Sequence, residues 1–165
     1  MSDHTTGPAR RSSASPDPGR DPTIWDPEVE RLDEAECLRL ISAGGVGRLA
    51  YSSRFGLAVL PVNYRLHDGS IVFRTALDSP TDEDLRTGIQ GADYKVTFEI
   101  DEFDKEAQEG WFVFVQGAAH HVDAEDDRAS VAAASGLRPW SGATGEHFVR
   151  ITPTFITGRR LRQSE

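Results

Sequence analysis

Residues 57–75 read LAVLPVNYRLHDGSIVFRT. Two runs of strand-forming residues flank His67-Asp68-Gly69-Ser70, and Asp-Gly is a strong signal for a two-residue hairpin turn. The stretch therefore predicts an antiparallel pair of strands, Leu57 to Leu66 and Ile71 to Thr75. Pro61 removes a backbone donor from the first of them, so that this strand should lie at an edge or a bulge there.

Outward from this hairpin, the hydrophobic pattern predicts further strands and a few helices. Asp33 and Glu36 form a capping box that should open a first helix, which Gly44 and Gly45 end. Two more helices are expected at 79–88 and 124–135, and a polar loop at 102–110. The further strands are Val46 to Ser52, Tyr94 to Asp101, Trp111 to Val122, His147 to Ile151 and Ile156 to Leu161, with Thr152-Pro153 between the last two.

The expected fold is mainly β with a few helices, an antiparallel barrel of six to seven strands that is closed or partly closed. A barrel of this size is filled by its own side chains, so a ligand should bind on its outside. Residues 1–25 are rich in Ser, Pro, Gly and charged residues, which predicts a disordered tail. Order should begin near Leu32, within one domain that spans 26–165.

The composition of the chain disfavours several classes of function. The chain of 165 residues carries a net charge of −9, which disfavours nucleic-acid binding because phosphate neutralisation needs a basic face. Cys37 is the sole cysteine, so an internal disulfide is excluded and a reducing compartment is favoured. No apolar run is long enough for a membrane span, and the N-terminus lacks a signal-peptide core. A cytoplasmic protein that does not bind membranes is therefore expected.

Two sequence motifs resemble ligand-binding motifs but do not meet the structural requirements for binding. Gly45-x-Gly47-x-x-Ala50 has the spacing of a dinucleotide fingerprint, but here a helix precedes the motif and a strand follows it, the reverse of what pyrophosphate binding needs. His120 and His121 are neighbours on a predicted strand, where successive side chains point to opposite faces. These two histidines cannot share one metal ion, and no metal site is predicted.

Several short segments follow one another along the chain in a distinctive order. They are Gly45-Val46-Gly47-Arg48-Leu49-Ala50, Leu60-Pro61-Val62-Asn63-Tyr64, the Asp68-Gly69 turn, Ile71-Val72-Phe73-Arg74-Thr75, Val96-Thr97-Phe98-Glu99-Ile100-Asp101, Gly110-Trp111, Val115-Gln116-Gly117-Ala118 and Ile156-Thr157-Gly158-Arg159-Arg160. In their order and spacing they resemble the pyridoxamine 5'-phosphate oxidase-like family of FMN-binding split barrels, and more closely its actinobacterial and nitroimidazole-reductase-like members. The resemblance covers about residues 32 to 161.

The resemblance implies a homodimer with two FMN sites at the subunit interface. By position, Pro61, Val62 and Asn63 match the family strand along the flavin ring. The segment Phe73, Arg74 and Thr75 matches the one that reaches the ribityl chain and the phosphate. Trp111 and Gln116 match a strand that the second subunit contributes to the same pocket. A guanidinium such as that of Arg74 suits a phosphate group.

One departure from the family pattern lies in residues 76–81. Family members usually have a small turn residue and a phosphate-binding Lys where this chain has Asp78 and Pro80. Losing a charged hydrogen bond of about 1.5–3 kcal/mol would weaken binding about 10- to 100-fold. Ser79, Thr81 and the start of the following helix are the expected compensation.

The function that the sequence predicts is an FMN-dependent oxidoreductase acting on a small organic substrate, in which the flavin carries the redox chemistry. No side chain stands out as a catalytic acid or base. The alternative is a divergent split-barrel protein that binds another ligand, such as a deazaflavin or haem, or no cofactor. A third possibility is a dimeric regulatory protein whose tail recruits a partner.

Overall fold

The structure is a computed structural model, and it describes residues 29–86, 93–122, 130–131, 136 and 146–162. The predicted tail, 1–25, lies outside these residues, as does most of the predicted helix at 124–135. The elements, in chain order, are β1 (Glu30–Leu32), α1 (Glu34–Ile41), β2 (Gly45–Ser53), β3 (Gly56–His67), β4 (Ser70–Ala76), α2 (Pro80–Asp84), β5 (Tyr94–Asp104), β6 (Glu109–His121) and β7 (Glu146–Leu161).

The strands form one antiparallel sheet in the order β1-β7-β4-β3-β2-β5-β6, and β6 also pairs with β7. This last pairing closes six of the strands into a barrel, to which β1 adds as a short strand along β7. The predicted fold, a mainly β antiparallel barrel of six to seven strands, is confirmed. β7 is the strand that closes it, because its 16 residues pair with β4, β6 and β1.

Inward-facing side chains fill the barrel. Phe98 on β5 packs against Tyr64 on β3, with ring centroids 5.4 Å apart, and against Phe73 on β4 at 6.2 Å. All three rings are buried. The Tyr64 hydroxyl donates a hydrogen bond of 2.9 Å to the carbonyl oxygen of Ile41 at the end of α1. Burial raises the pKa of Tyr64 to about 12. The helix is therefore tied to the barrel through the same aromatic cluster.

The local signals in the sequence are confirmed where they are strongest. Asp68 and Gly69 have φ angles of 48° and 71°, as a two-residue turn with positive φ at both positions requires. The Asp33 carboxylate accepts a 2.8 Å hydrogen bond from the backbone N–H of Glu36, so Asp33 caps α1 as predicted. Pro61 pairs with Arg48 of β2 on one side only among the described strands, so β3 is an edge there, again as predicted.

Four predicted boundaries are wrong. Among the described residues, the first element is not the predicted helix but β1, which pairs with β7 and precedes that helix. Residues 102–110 are not a polar loop throughout, because 102–104 and 109–110 extend β5 and β6 into a longer hairpin and only 105–108 form the turn. Within the described part of the helix predicted at 79–88, which ends at residue 86, the helix covers Pro80–Asp84.

The two strands predicted on either side of Thr152-Pro153 are also wrong, because they form one continuous strand, β7. Opposite this point the register shifts between Gln116 and Gly117, so that β7 accommodates an extra residue. A bulge is a position in a sheet that tolerates proline, because one ladder hydrogen bond is already missing there. Among the described residues, no helix is long and apolar enough to cross a membrane.

Removing the cap of α1 should destabilise the barrel through the helix. We expect Asp33→Ala to lower the free energy of unfolding by about 1 kcal/mol, because the N–H of Glu36 loses its acceptor. Urea denaturation followed by circular dichroism measures the change. Asp33→Asn is the control, since its side-chain oxygen still accepts the bond. Equal losses in both variants would contradict the capping role.

Candidate functional site

The barrel is split between β3 and β4. The ladder between these strands runs from His67–Ser70 to Tyr64–Phe73 and ends there. β4 pairs with β7 on both sides of this point, whereas β3 pairs with β2 only at Tyr64 and beyond it, so residues 61–63 pair with β2 alone and residues 74–76 with β7 alone. The two segments that the sequence predicts to contact the flavin ring and its phosphate therefore separate at one point and form the two edges of one opening.

The residues at this opening face different sides of the sheet. Phe73 is buried in the barrel core, and Val62 packs partly against that core. Successive side chains of a strand point to opposite faces, so the neighbours of Val62 and Phe73 point outward. The outer face therefore carries Pro61, Asn63 and Arg74. Of the predicted ring and phosphate contacts, these three are placed to meet a ligand outside the barrel.

Two arginines share the outer face of β4 and β7. The Arg74 guanidinium lies 5.6 Å from the centre of the Phe148 ring, directly across the β4–β7 ladder. Burial lowers the pKa of Arg74. The guanidinium stays cationic, because the usual pKa of arginine lies far above neutral pH. Arg150 is the next residue of β7 after Phe148 that faces outward. Its Nε is buried with no hydrogen-bond acceptor among the described residues. Sequence reasoning missed Arg150, because only the β4–β7 register brings it next to the predicted phosphate segment.

The segment between β4 and α2 uses its own polar groups. The Ser79 hydroxyl accepts a 3.2 Å hydrogen bond from the N–H of Asp82 and so caps α2. The Thr81 hydroxyl lies 3.1 Å from that of Tyr51. Pro80 occupies the first turn of α2 and has no N–H. Both hydroxyls that were expected to replace the missing lysine thus already have hydrogen-bond partners, and binding of a phosphate by Ser79 stays a prediction.

Asp82 of α2 is fully buried among polar groups. Its Oδ1 lies 2.8 Å from Nε2 of His121, 3.0 Å from Nδ1 of His147 and 3.0 Å from the donating hydroxyl of Thr75. Arg86 donates to the other oxygen, Oδ2, at 3.1 Å. Burial alone would raise the pKa of Asp82, but the hydrogen bonds from His121, His147 and Thr75 outweigh it and hold that pKa well below its usual range. Thr75, predicted to contact the cofactor, is therefore held to this cluster.

The two candidates on β6 do not share a face. Gln116 is exposed on the outer side and lines a groove of about 590 Å³ together with Ala50, Val59, Thr97 and other residues of β2, β3 and β5. Trp111 has the inward alternation and packs partly against the core at the far end of β6. Within one chain, a flat ligand against the outer face would contact Gln116 and not Trp111.

Several of the side chains that line this groove are apolar and exposed. We call them the apolar face, defined by Leu57, Val59 and Phe155. Leu57 is 90% exposed and Val59 66%, and Phe155 is exposed as well. Exposed apolar side chains that form one patch mark an interaction surface more often than chance exposure does. The patch adjoins Pro61 and Asn63 along β3.

An antiparallel barrel opened between two of its strands is the architecture of the split-barrel flavin-binding folds. The sequence pattern of the family described as pyridoxamine 5'-phosphate oxidase matches residues 33–160, and the chain belongs to this family.

Similar proteins agree with this assignment. The FAD-binding protein of Mycobacterium smegmatis is 32% identical, with 81% of this chain and 100% of that chain covered and a TM-score of 0.66. A Corynebacterium glutamicum protein, named only provisionally as a pyridoxamine 5'-phosphate oxidase, is 30% identical over 86% of this chain and 99% of its own, with a TM-score of 0.69. The uncharacterised protein Rv0080 of Mycobacterium tuberculosis is 31% identical over 81% of this chain and 86% of its own length.

The buried carboxylate of Asp82 makes the free energy of unfolding depend on pH in the acid range. Because the pKa of Asp82 is lower in the folded chain than in the unfolded one, its contribution is complete above about pH 4 and is lost as the pH falls further. We expect Asp82→Asn to lower the free energy of unfolding at pH 7 by about 3 kcal/mol and to flatten its decline in acid. Urea denaturation at several pH values measures both.

The control for this test is Asp68→Asn, since Asp68 is exposed and asparagine suits the same turn. An Asp82→Asn protein as stable as the wild type at pH 7, with the same acid profile, would contradict the role of the buried carboxylate.

Proposed function

We propose that this protein is a flavin-dependent oxidoreductase that binds FMN in the opening between β3 and β4, at the interface of a homodimer. The observation that carries the proposal is the end of the β3–β4 ladder at Tyr64–Phe73, with Asn63 on one edge and Arg74 on the other. The opening exposes strand backbone and outward side chains on one edge and a cation on the other. A flat ring with an anionic tail fits such a place.

The charges of the residues at the opening fit the phosphate of FMN. Arg74 and Arg150 supply two cations on one face, which offsets the absence of lysine at position 80. The carboxylate of Asp82 does not oppose a phosphate strongly, because Arg86 and the two imidazoles already surround it. Asp78 lies in the left-handed region, with φ 56°, and donates its backbone N–H to Asp82.

Each group of residues has a separate task in this proposal. Arg74 and Arg150 bind the phosphate, Pro61 and Asn63 lie along the ring, and Val62 and Phe73 hold that edge of the barrel in place from inside. When bound, the flavin supplies the redox chemistry by exchanging electrons with a small organic substrate. The side chains orient the ring and keep water from one of its faces.

The homodimer rests on the apolar face and on the open edge of β3. A second copy would cover Leu57 and Val59, whose exposure is costly for an isolated protein. It would also bring Gln116 of the partner subunit towards the opening, because Gln116 and the apolar face line the same groove. Trp111 lies on the inward side of β6, so its contact with the flavin stays a prediction.

The FMN proposal is tested by titrating the purified protein with FMN, FAD and riboflavin, and following the flavin fluorescence. We expect about one FMN per chain, and about 10- to 100-fold weaker binding in Arg74→Ala, because a charged hydrogen bond to the phosphate is lost. Riboflavin, which lacks the phosphate, should bind both proteins equally. Arg39→Ala is the control, since Arg39 pairs with Glu36 on the exposed side of α1.

Different results would overturn different parts of the proposal. A protein that binds none of the three flavins is not a flavoprotein. Tighter binding of FAD than of FMN would keep the flavin and reject FMN. Equal affinity of FMN for Arg74→Ala and for the wild type would remove Arg74 from the phosphate site.

The dimer is tested separately with a charge on the apolar face. We expect Leu57→Asp and Val59→Asp to convert the dimer to a monomer in light-scattering chromatography, because a carboxylate would have to be buried without a partner. Phe103→Asp is the control, since Phe103 is a half-exposed apolar residue at the far end of β5. A wild-type monomer, or dimers that survive both substitutions, would contradict this interface.

A further inference from the structure

The polar cluster around Asp82 contains more hydrogen bonds than its atoms can make together. Nδ1 of His147 lies 3.0 Å from the carboxylate Oδ1 of Asp82 and 2.7 Å from Nη2 of Arg86. An imidazole nitrogen carries either a proton or a lone pair, so it donates to the carboxylate or accepts from the guanidinium, but not both. One of the two contacts is therefore unsatisfied in every protonation state of His147.

The carboxylate oxygen is crowded in the same way. Oδ1 of Asp82 has three neighbours within 3.0 Å, the hydroxyl of Thr75 and one nitrogen of each imidazole, while the side chain of Asp82 is fully buried. A nitrogen of His121, a nitrogen of His147 and an oxygen of Asp82 all lie within 4.8 Å of one another. The two rings stand nearly perpendicular, at 86°. Three atoms that can each act as a metal ligand, the two nitrogens once they have lost their protons, thus converge on one small volume.

We infer that Asp82, His121 and His147 form a binding site for one divalent transition-metal ion, of the kind represented by Zn²⁺. A cation between the three atoms would turn the unsatisfied contact of His147 into a coordinate bond and would balance the buried carboxylate. Two imidazoles and one carboxylate are a common ligand set for such ions, and three protein ligands leave a further position for water or a small anion.

The surroundings supply the outer contacts that such a site needs. Thr75 donates its hydroxyl to the ligating carboxylate and would orient it. Arg86 must give up its contact with His147, and it is free to do so because its side chain is half exposed and its Nε and Nη2 also reach Oδ2 of Asp82. The inference does not depend on the flavin, since the three ligands are not among the residues proposed to bind it.

His121 and His147 come from neighbouring strands, β6 and β7, and Asp82 comes from α2. An ion bound by all three would therefore fasten α2, and with it the segment after Arg74, onto the wall of the barrel. We expect Zn²⁺ to raise the midpoint of thermal unfolding of the chelator-treated protein, because only the folded chain brings the ligands together.

The experiment is a titration of the purified, chelator-treated full chain with Co²⁺, followed by visible absorption, and with Zn²⁺, followed by calorimetry. We expect one equivalent to bind in the micromolar range or tighter, and the visible d–d bands of Co²⁺ to intensify as they do when the ion enters a four- or five-coordinate site. His121→Ala and His147→Ala should each weaken binding by at least about 100-fold, since even outer contacts change affinity about 10- to 100-fold.

The chain offers a matched control for this test. His120 is adjacent to His121 in sequence, but its side chain is 46% exposed and lies near Asp93. His120→Ala should bind both metals as the wild type does. Arg86→Ala should bind them on the order of 5-fold more tightly, because a competing cation is removed from the site. This variant and the spectrum of the wild type keep the test valid if a histidine variant does not fold.

Three results would overturn the inference. The first is a wild-type protein that binds neither Co²⁺ nor Zn²⁺ in stoichiometric amount. The second is an equal loss of affinity in His120→Ala and His121→Ala, which would indicate weak binding to surface histidines. The third is unchanged affinity in folded His121→Ala and His147→Ala.

Discussion

Phe98 packs against Tyr64 and Phe73, the last paired residues of β3 and β4, and the rest of the site depends on this contact. Both strands are held together up to that pair by the buried rings and separate immediately beyond it. Beyond that pair, the unpaired edge of β3 lies on one side of the opening, and Arg74 of β4 lies on the other side. An opening that begins at a packed aromatic cluster has a fixed width, because the cluster resists rearrangement. The site is therefore rigid where it must receive a flat ligand.

Much of the fold was predictable because local chemistry decided it. The Asp68-Gly69 turn, the Asp33 cap and the alternation along β5 each depend on a few adjacent residues. The errors arose where tertiary contacts overrule local preference. The acidic stretch after Asp101 looks like a loop, yet pairing with β6 keeps it extended. Pro153 looks like a strand break, yet a bulge opposite Gly117 accommodates it.

The candidate site was predictable only in part, for a different reason. The resemblance gave the two segments at the opening, but not which side chains face outward. Pro61, Asn63 and Arg74 do so, while Val62 and Phe73 face the core. Arg150 and the cluster of Asp82, His121 and His147 were not found, because His121 and His147 are 26 positions apart in the sequence and meet only through strand pairing. Single-sequence patterns contain no information on such distant pairs.

The length of β7 also bears on how the chain reaches its folded state. β4 and β6 are both complete before β7 begins along the chain, and neither closes the barrel without it. Ring closure therefore waits for contacts between segments far apart in the sequence, which makes folding slow. During biosynthesis, the sheet edges of β4 and β6 stay open until this strand has emerged from the ribosome. The nascent protein is thus most exposed to aggregation just before its final strand arrives.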